Sequence, residues 1–568
     1  RGRPGTHPPG LVDETTFSMT KGTTMTTLSR RRLIQSTAAA ALLGGAAGVT
    51  GCGQTEDGAP ESRRVAEHEL PTFAESSSVK PDLISEHNGG MHGYFSYPAE
   101  PTPPADPPLN GGKVTALTYT FDPVPPGLAD NPLWQKVNEG LGAELDITFA
   151  PSADYSQRFA TTIAGGDLPD LVTIYGSVQQ LPALLRSQFT DLTEHLAGDA
   201  VAEYPNLAGL ATESWQETVV EGSIWGVPIA RPPIGGALFA RQDILDREGL
   251  SAQLTEFAEL KELLVALTDE RNSRWACGDP GGMLGFVTSM LGIPSLWMEQ
   301  DGRFTANIET EQYTQALADV RSLVEAGVFH PDGITASNNQ RNDWFTAGRT
   351  PLVFGGFVGY SKYEMWGAEV PGFKLGTILP VGYDGSTEPV HNRGTVMQAM
   401  TVIKKTEPDR VKELLRVLDW LATPFGSTEY LVRKFGVEGV TYTLEGTDPI
   451  VNSRGQTMRL VPFGYISDGP QVIYDPGERR IAEARFAYQE KALEMIGPDP
   501  TLGLYSEAES TKNAVIGRAL EDARREILVG RKPLDSWPDA VATWRREGGD
   551  EIRKEFEAAF ASAGPTPR

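Results

Sequence analysis

The sequence predicts an α/β protein that folds into two lobes. Strand-like and helix-like segments alternate after residue 112, and such alternation gives a mainly parallel sheet with helices on both faces. The chain has 568 residues, 39% of them apolar, which is enough to bury one or more large cores. Helical periodicity dominates its last third. We therefore expect two lobes, each a mainly parallel sheet flanked by helices, and a helix-rich C-terminal third.

The first alternating stretch predicts three strands and two helices. The strands are expected at residues 113–119, 144–150 and 171–175, and the helices at residues 132–141 and 155–164. Asn131 before Pro132 is typical of a helix N-cap followed by proline in the first turn. Asp154 is expected to cap the second helix, and Gly165 and Gly166 are expected to end it.

Periodicity in the rest of the chain predicts further helices and strands. The helices are expected at residues 255–269, 311–326, 409–421, 480–495 and 511–528, and the strands at 237–240, 352–354 and 396–403. No internal repeat with a period of 20 to 50 residues is present, which argues against solenoids and propellers.

The N-terminal region is typical of an export signal. Arg30, Arg31 and Arg32 precede an uncharged run over residues 33–49, which is too short and too rich in glycine for a permanent membrane span. The paired arginines resemble a twin-arginine signal. At the end of this run, the sequence Val-Thr-Gly-Cys at residues 49–52 resembles a bacterial lipobox. We expect acyl chains on Cys52 to hold the protein on the membrane without a spanning helix.

Charge and motifs exclude several classes of protein. The formal net charge of −25 disfavours nucleic acid and anionic membranes as partners. Two cysteines are too few for a disulfide scaffold or a cysteine-rich metal site. The signatures of serine hydrolases, zinc proteases, dinucleotide-binding proteins and P-loop proteins are missing. We expect no catalytic residues, no metal and no cofactor.

Several phrases between residues 130 and 450 resemble the extracellular solute-binding lipoproteins of bacterial ABC importers, especially the oligosaccharide and alginate binders. They are Asn-Pro-Leu-Trp at 131–134, Tyr-Ser-Gln-Arg-Phe at 155–159, Ile-Ala-Gly-Gly-Asp-Leu-Pro-Asp at 163–170, Gly-Ser-Ile-Trp-Gly-Val-Pro at 222–228 and Gly-Val-Glu-Gly at 436–439. The resemblance implies a type II-like periplasmic-binding-protein fold. It also implies an oligosaccharide ligand in a cleft between the lobes and ABC permease subunits as partners.

The resemblance and the local patterns together predict the domain organisation. The expected parts are a leader with the signal peptide at residues 1–51, a lipidated proline-rich tether at 52–112, lobe 1 at 113–235 with a returning segment near 396–450, lobe 2 at 236–395, and C-terminal helices at 451–568 that pack across both lobes. Hinge strands are expected near residues 229–240 and 396–403. The protein is expected to be a monomer on the extracytoplasmic face of the membrane.

A sugar-binding cleft needs aromatic plates for the apolar faces of sugars and polar groups for their rims. The candidate aromatic residues are Tyr175, Trp225, Trp297, Trp344, Phe357, Tyr360, Trp366 and Tyr442. Phe357 and Tyr360 are favoured because three glycines leave them on thinly packed backbone, and Tyr175 because it ends a predicted strand. Core packing is the alternative for each aromatic residue.

Two arginines and two aspartates have alternative interpretations. Arg241 and Arg393 could bind a ligand carboxylate in bidentate fashion, or form salt bridges with the abundant acidic residues. Asp167 and Asp170 are interpreted as turn residues whose carboxylates cap backbone amides, with ligand contact as the alternative. Neutral oligosaccharide is slightly favoured over an acidic one.

A calcium loop of the kind found in some family members is not expected here. Within residues 269–279, Arg271, Arg274 and Trp275 interrupt the oxygen ligands that calcium needs. Two other functions remain open. A peptide-binding or adhesion lipoprotein would use the same cleft with less aromatic stacking. A secreted glycoside hydrolase would need two paired carboxylates.

Overall fold

We describe a computed structural model, which covers residues 70–75, 79–294 and 296–563. All of these residues belong to one compact unit, residues 59–568. The other unit, residues 1–58, lies outside the described residues, as do the predicted export signal and Cys52. No helix in the described part of the chain is long and apolar enough to cross a membrane.

The fold is α/β, and helices and strands alternate along most of the chain. The strands are β1 Gly93–Tyr94, β2 Lys113–Thr120, β3 Glu144–Pro151, β4 Leu171–Ile174, β5 Val219–Val220, β6 Ser223–Ile224, β7 Gly226–Ala230, β8 Gly236–Arg241, β9 Trp297–Gln300, β10 Arg303–Ala306, β11 Leu352–Gly356, β12 Leu375–Ile378, β13 Met397–Ile403, β14 Tyr442–Glu445, β15 Asp448–Val451 and β16 Ile473–Tyr474. The helices before residue 400 are α1 Pro132–Leu141, α2 Ser152–Gly165, α3 Leu181–Gln188, α4 Thr193–Leu196, α5 Pro205–Ala208, α6 Thr212–Gln216, α7 Gln242–Glu248, α8 Phe257–Leu267, α9 Pro280–Met290, α10 Glu311–Glu325, α11 Asn338–Thr346 and α12 Tyr360–Gly367. Those after it are α13 Pro408–Leu421, α14 Thr428–Phe435, α15 Ser453–Met458, α16 Arg479–Glu494, α17 Glu507–Leu528, α18 Trp537–Trp544 and α19 Asp550–Ala563.

The first sheet has five strands in the order β3-β2-β4-β13-β7. Strands β2, β3 and β4 are parallel, whereas β13 runs antiparallel between β4 and β7. Alternate residues of β2 face opposite hydrophobic cores: Val114 and Ala116 belong to one core, Leu117 and Tyr119 to the other. Both faces are covered, so most of β2 is buried.

The caps of helices α1 and α2 agree with the predictions from the sequence, with one exception. The Asn131 side chain accepts hydrogen bonds from the backbone amides of Leu133 and Trp134, as predicted for an N-cap. Helix α2 ends at Gly166, whose φ of 73° is left-handed. The prediction for Asp154 was wrong: α2 begins at Ser152, so Asp154 lies inside its first turn.

The second sheet has three strands in the order β11-β8-β12. Both outer strands pair with β8 in antiparallel fashion, so the prediction of a mainly parallel sheet in this lobe was wrong. Strand direction depends on how the long segments between strands return to the sheet, and local periodicity does not record that. Leu238 and Ala240 of β8 face one core, and Ala237 and Phe239 the other.

Two chain segments that connect the sheets lie side by side. Residues 231–235 lead from β7 into β8, and residues 392–396 lead into β13. Ile234 and Arg393 form an antiparallel bridge, and the backbones of Gly235 and Gly394 come so close that a Cβ on either residue would clash. These segments lie near the predicted hinge positions.

Residues 79–98 differ from the tether expected over residues 52–112. Met91, Tyr94 and Tyr97 are buried, and β1 pairs in parallel with β16. Isolated apolar residues without periodicity gave no indication of this packing. The proline-rich residues 98–108 are mostly exposed, as a tether would be.

The C-terminal helices contact both the part of the unit built on the first sheet and the part built on the second sheet. Helix α16 packs in the core that contains Phe239 of the second sheet. Helix α17 contacts α10, and its Ser510 hydroxyl donates to the carbonyl of Val178, just beyond the first sheet.

Candidate ligand-binding cleft

The carboxyl ends of three strands meet at one edge of the first sheet. Phe121 and Asp122 follow β2, Tyr175 follows β4, and Arg231 follows β7, which runs parallel to β4 because both pair antiparallel to β13. Ligands of open α/β sheets bind outside this edge, where loops from several strands converge. The edge therefore brings together aromatic and charged side chains from distant parts of the sequence.

An aromatic cluster covers this edge. The rings of Tyr119 and Tyr175 stack with centroids 4.1 Å apart. Phe121 contacts Tyr175 at 6.1 Å and Tyr465 at 5.8 Å, both edge to face. Phe121 is 51% exposed, and Tyr175 and Tyr465 are half-buried. Burial raises the pKa of Tyr465 to about 12, so its hydroxyl keeps its proton at neutral pH.

Helix α12, which packs against the second sheet, brings a charged side chain to the carboxyl edge of the first sheet. Its Tyr360 and Tyr363 are buried against Phe239 of β8. Its Lys362 forms an ion pair with Asp122 at 3.4 Å, which links the two halves of the unit. Trp366 lies one turn after Lys362, hence on the same helical face, and is 38% exposed.

Basic residues form the floor of a cavity at this edge. The cavity has a volume of about 270 Å³. It is lined by Asp122, Lys362, Arg433, Lys434, Arg459 and residues 460–465. Behind it, Asp468 pairs with Arg433 at 3.1 Å and with Lys434 at 2.6 Å. Burial opposes ionisation of Asp468, yet these two cations lower its pKa.

Of the aromatic residues predicted to bind ligand, Tyr175 lies in the aromatic cluster and is half-buried, and Trp366 is 38% exposed on α12, where its ring meets Tyr363 edge to face. Most of the other aromatic candidates are buried in hydrophobic cores. They are Trp225, Trp297, Phe357, Tyr360 and Tyr442, each 7% exposed or less. Trp344 is half-buried and stacks on His330, with centroids 3.7 Å apart. These side chains therefore lie where the core-packing alternative placed them, and not on a surface that a ligand could reach.

Arg241 and Arg393 both form salt bridges with acidic residues of the protein, which was the alternative to binding a ligand carboxylate. Arg241 is 4% exposed, contacts Asp243 through two hydrogen bonds of 2.9 Å, and donates to the carbonyls of Phe345 and Thr346. Arg393 pairs with Glu213. The Arg241 guanidinium is thus occupied by these partners, whereas Arg393 Nε has no hydrogen-bond partner among the described residues.

Sequence reasoning did not identify Phe121, Arg231, Arg459 or Tyr465 as candidates. Phe121 lies two residues after the strand predicted at 113–119 and directly after the observed β2, and a search for aromatic residues at strand ends would have included it with Tyr175. Arg459 and Tyr465 come from a segment without clear periodicity, so the sequence contains no signal that places them here.

A second cavity, of about 470 Å³, lies beside the connecting segments and is lined by Phe73, His87, His92, Arg231 and Phe425 among others. Across the described ranges, no group of three or more His, Cys, Asp or Glu side chains could hold a metal ion.

Comparison with known proteins identifies the family. The family model for bacterial extracellular solute-binding proteins matches residues 126–425, more than half of the chain. The chain belongs to this family. As a member of an extracellular family, this solute-binding protein works outside the cytoplasm.

Two curated relatives of the solute-binding protein come from Bacillus subtilis. The polygalacturonan/rhamnogalacturonan-binding protein YtcQ is 24% identical over 451 residues, which cover 76% of this chain and 88% of the relative. Lipoprotein LipO is 20% identical over 458 residues, which cover 76% of this chain and 89% of the relative.

Solved structures support the fold. The alginate-binding protein AlgQ2, crystallised without calcium, is 16% identical and superposes with a TM-score of 0.59, covering 81% of this chain and all of AlgQ2. The two-lobed α/β fold predicted from the sequence is confirmed.

Proposed function

We propose that this solute-binding protein captures an oligosaccharide in the cleft at the carboxyl edge of the first sheet and delivers it to an ABC permease. It acts as a monomer and catalyses no reaction. Strands of the first sheet belong to lobe 1 and those of the second sheet to lobe 2, with residues 231–235 and 392–396 as the hinge. Ligand that contacts both lobes favours the closed form through its higher affinity for that form.

One observation carries this proposal. The aromatic cluster of Phe121, Tyr175 and Tyr465 is partly exposed at the edge where α/β folds bind ligands, and Trp366 lies on the helical face that meets it. Aromatic faces pack on the apolar C–H faces of sugars, while Asp122, Arg231 and Lys362 are available to sugar hydroxyls. The names of YtcQ and AlgQ2, which state that these proteins bind polysaccharides, support the same ligand class.

Binding measurements test the proposal. Calorimetric titration of the purified protein with oligosaccharides should show saturable binding to at least one sugar class, with the ligand intact afterwards. Phe121→Ala and Trp366→Ala should each weaken binding about 10-fold, because each removes a stacking surface worth roughly 1–1.5 kcal/mol.

Phe73→Ala is the matched control, because Phe73 is 56% exposed and lines the cavity beside the connecting segments. Loss of binding in Phe73→Ala but not in Phe121→Ala would move the site to that cavity. Binding of peptides alone would favour a peptide receptor, and release of shorter sugars would reveal a hydrolase.

We further propose that the protein is exported by the twin-arginine route and anchored through acyl chains on Cys52. The support is the Arg30-Arg31-Arg32 sequence, the uncharged run after it and the lipobox-like residues 49–52. The curated name of the relative LipO, a lipoprotein, agrees with the anchor. Cells fed an acyl-chain label should incorporate it into the native protein and not into Cys52→Ser. Equal labelling of both proteins would contradict the anchor.

A further inference from the structure

The floor of the cleft carries an excess of positive charge, although the whole chain has a net charge of −25. The charged residues that line the 270 Å³ cavity are the cations Lys362, Arg433, Lys434 and Arg459 and the anion Asp122. Asp468 behind the cavity adds one more negative charge. Two positive charges remain uncompensated there, before Arg231 at the edge is counted.

Three of these cations are held by carboxylates. Arg433 and Lys434 share Asp468, and Arg433 also donates to the carbonyl of Thr423. Lys362 pairs with Asp122. Their hydrogen-bonding groups are therefore at least partly occupied.

Arg459 differs from its neighbours. Within the described residues its guanidinium has no hydrogen bond or ion pair, although it is half-buried directly after α15. Burial lowers the pKa of Arg459, and the charge of Asp122 offsets only part of this effect. A desolvated cation without a bound anion gains more from a ligand carboxylate than an exposed one does.

The position of Arg459 suits a ligand that also stacks on the aromatic cluster. Arg459 lines the 270 Å³ cavity, where the positive charge lies, together with Tyr465; it also lines an adjoining cavity of about 540 Å³, whose other charged residues are Arg480, Glu364, Asp475 and Glu478. Ligand sites of proteins commonly have volumes of about 300–1,000 Å³. A chain of sugar rings could therefore lie over Tyr465 and Phe121 while a carboxylate of one ring reaches the guanidinium.

We propose that the cleft takes acidic oligosaccharides built of uronic acid units, and that Arg459 binds one of their carboxylates in bidentate fashion. The proposal rests on the proposed function and narrows its ligand class. The planar fork of arginine matches a carboxylate, which lysine cannot do as a point charge.

Ligands that differ only in their carboxylate charge test whether that charge contributes to binding. The purified protein is titrated with oligogalacturonates, with oligoalginates, with the methyl ester of whichever acid binds, and with neutral oligosaccharides. We expect at least one acid to bind, its methyl ester to bind roughly 10- to 100-fold more weakly, and the affinity for the acid to fall as salt is raised.

Matched variants test the residue. Arg459→Gln should weaken acid binding by roughly 10- to 100-fold and change binding of the methyl ester less than about 2-fold. Arg459→Lys should recover part of the loss. Arg454→Gln removes the same charge from the exposed face of α15 and should leave both affinities unchanged. Unchanged thermal unfolding would show that each variant is folded.

The outcomes separate the two proposals. Equal binding of acid and ester, or binding of neutral oligosaccharides alone, overturns the acidic-ligand proposal and leaves oligosaccharide capture standing. Preference for the acid with no effect of Arg459→Gln overturns the role of Arg459. Failure of every sugar to bind overturns both proposals.

Discussion

At the residue scale, Asp170 illustrates how a turn carboxylate stabilises a sheet. It follows the turn that ends α2 and accepts a hydrogen bond of 3.0 Å from the backbone amide of Thr115 in β2. It also pairs with Lys404 at 3.1 Å and Arg410 at 3.2 Å. Its role as a cap for a backbone amide is confirmed, and Asp170 thereby joins β2 to Lys404 directly after β13 and to Arg410 of α13.

Replacement of Asp170 should destabilise the protein. Burial opposes ionisation of Asp170, but the Thr115 amide, Lys404 and Arg410 hold its pKa below the usual value. Its contribution to stability is therefore present above about pH 4 and lost as pH falls through the lowered pKa. Asp170→Asn should reduce the free energy of unfolding at pH 7 by about 2 kcal/mol, measured by urea denaturation.

Asp167→Asn is the control for this prediction. Asp167 lies three residues earlier, is exposed, and should change the free energy of unfolding by less than about 0.5 kcal/mol. Equal effects of the two substitutions would mean that the bonds of Asp170 contribute nothing beyond a surface charge.

At the element scale, the N-terminal end of α17 carries buried carboxyl groups whose ionisation makes stability depend on pH. Glu509 in the first turn of α17 lies near Asp499 and Glu217, and Glu217 accepts a hydrogen bond from the amide of Gly503. Burial, followed by repulsion from Asp499 and Glu217, raises the pKa of Glu509 to about 7. Burial also raises the pKa of Glu217.

The protein should therefore lose stability as pH rises toward neutrality. A carboxyl group whose pKa is raised by folding stabilises the fold below its unfolded pKa, and this contribution disappears as pH rises through the folded pKa. The free energy of unfolding should fall by up to about 3 kcal/mol between pH 5 and pH 8 through Glu509. Glu509→Gln should remove most of this fall in denaturation experiments across the range.

Asp522→Asn, an exposed change on the same helix, should leave the pH profile unaltered. An unaltered profile in Glu509→Gln would show that the cluster does not govern the pH dependence.

Most helices and strands could be predicted from the sequence because their signals are local. Helix α1 has the predicted bounds, and its Asn131 cap acts within three residues of the chain. The antiparallel second sheet could not be predicted, since β8 and β11 are separated by more than 100 residues that fold into helices of their own.

At the scale of the whole molecule, the cleft depends on segments that the sequence keeps far apart. Asp122 and Lys362 are 240 residues apart, and Thr118 donates to the carbonyl of Tyr465 across 347 residues. These contacts explain why most aromatic candidates chosen from local context lie in cores instead. An aromatic residue after a strand can face either a core or the cleft, and only the packing of both lobes decides between them.

The sequence by itself determined the α/β class, the Asn131 cap of α1 and the resemblance to solute-binding proteins, because each depends on residues that are neighbours in the chain. Only the tertiary structure decided the direction of the second sheet, the packing of residues 79–98, the burial of Phe357 and Tyr360, and the assembly of Phe121, Arg459 and Tyr465 around one cavity. The physical reason is that burial and charge compensation are set by neighbours in space, and distant segments supply most of them.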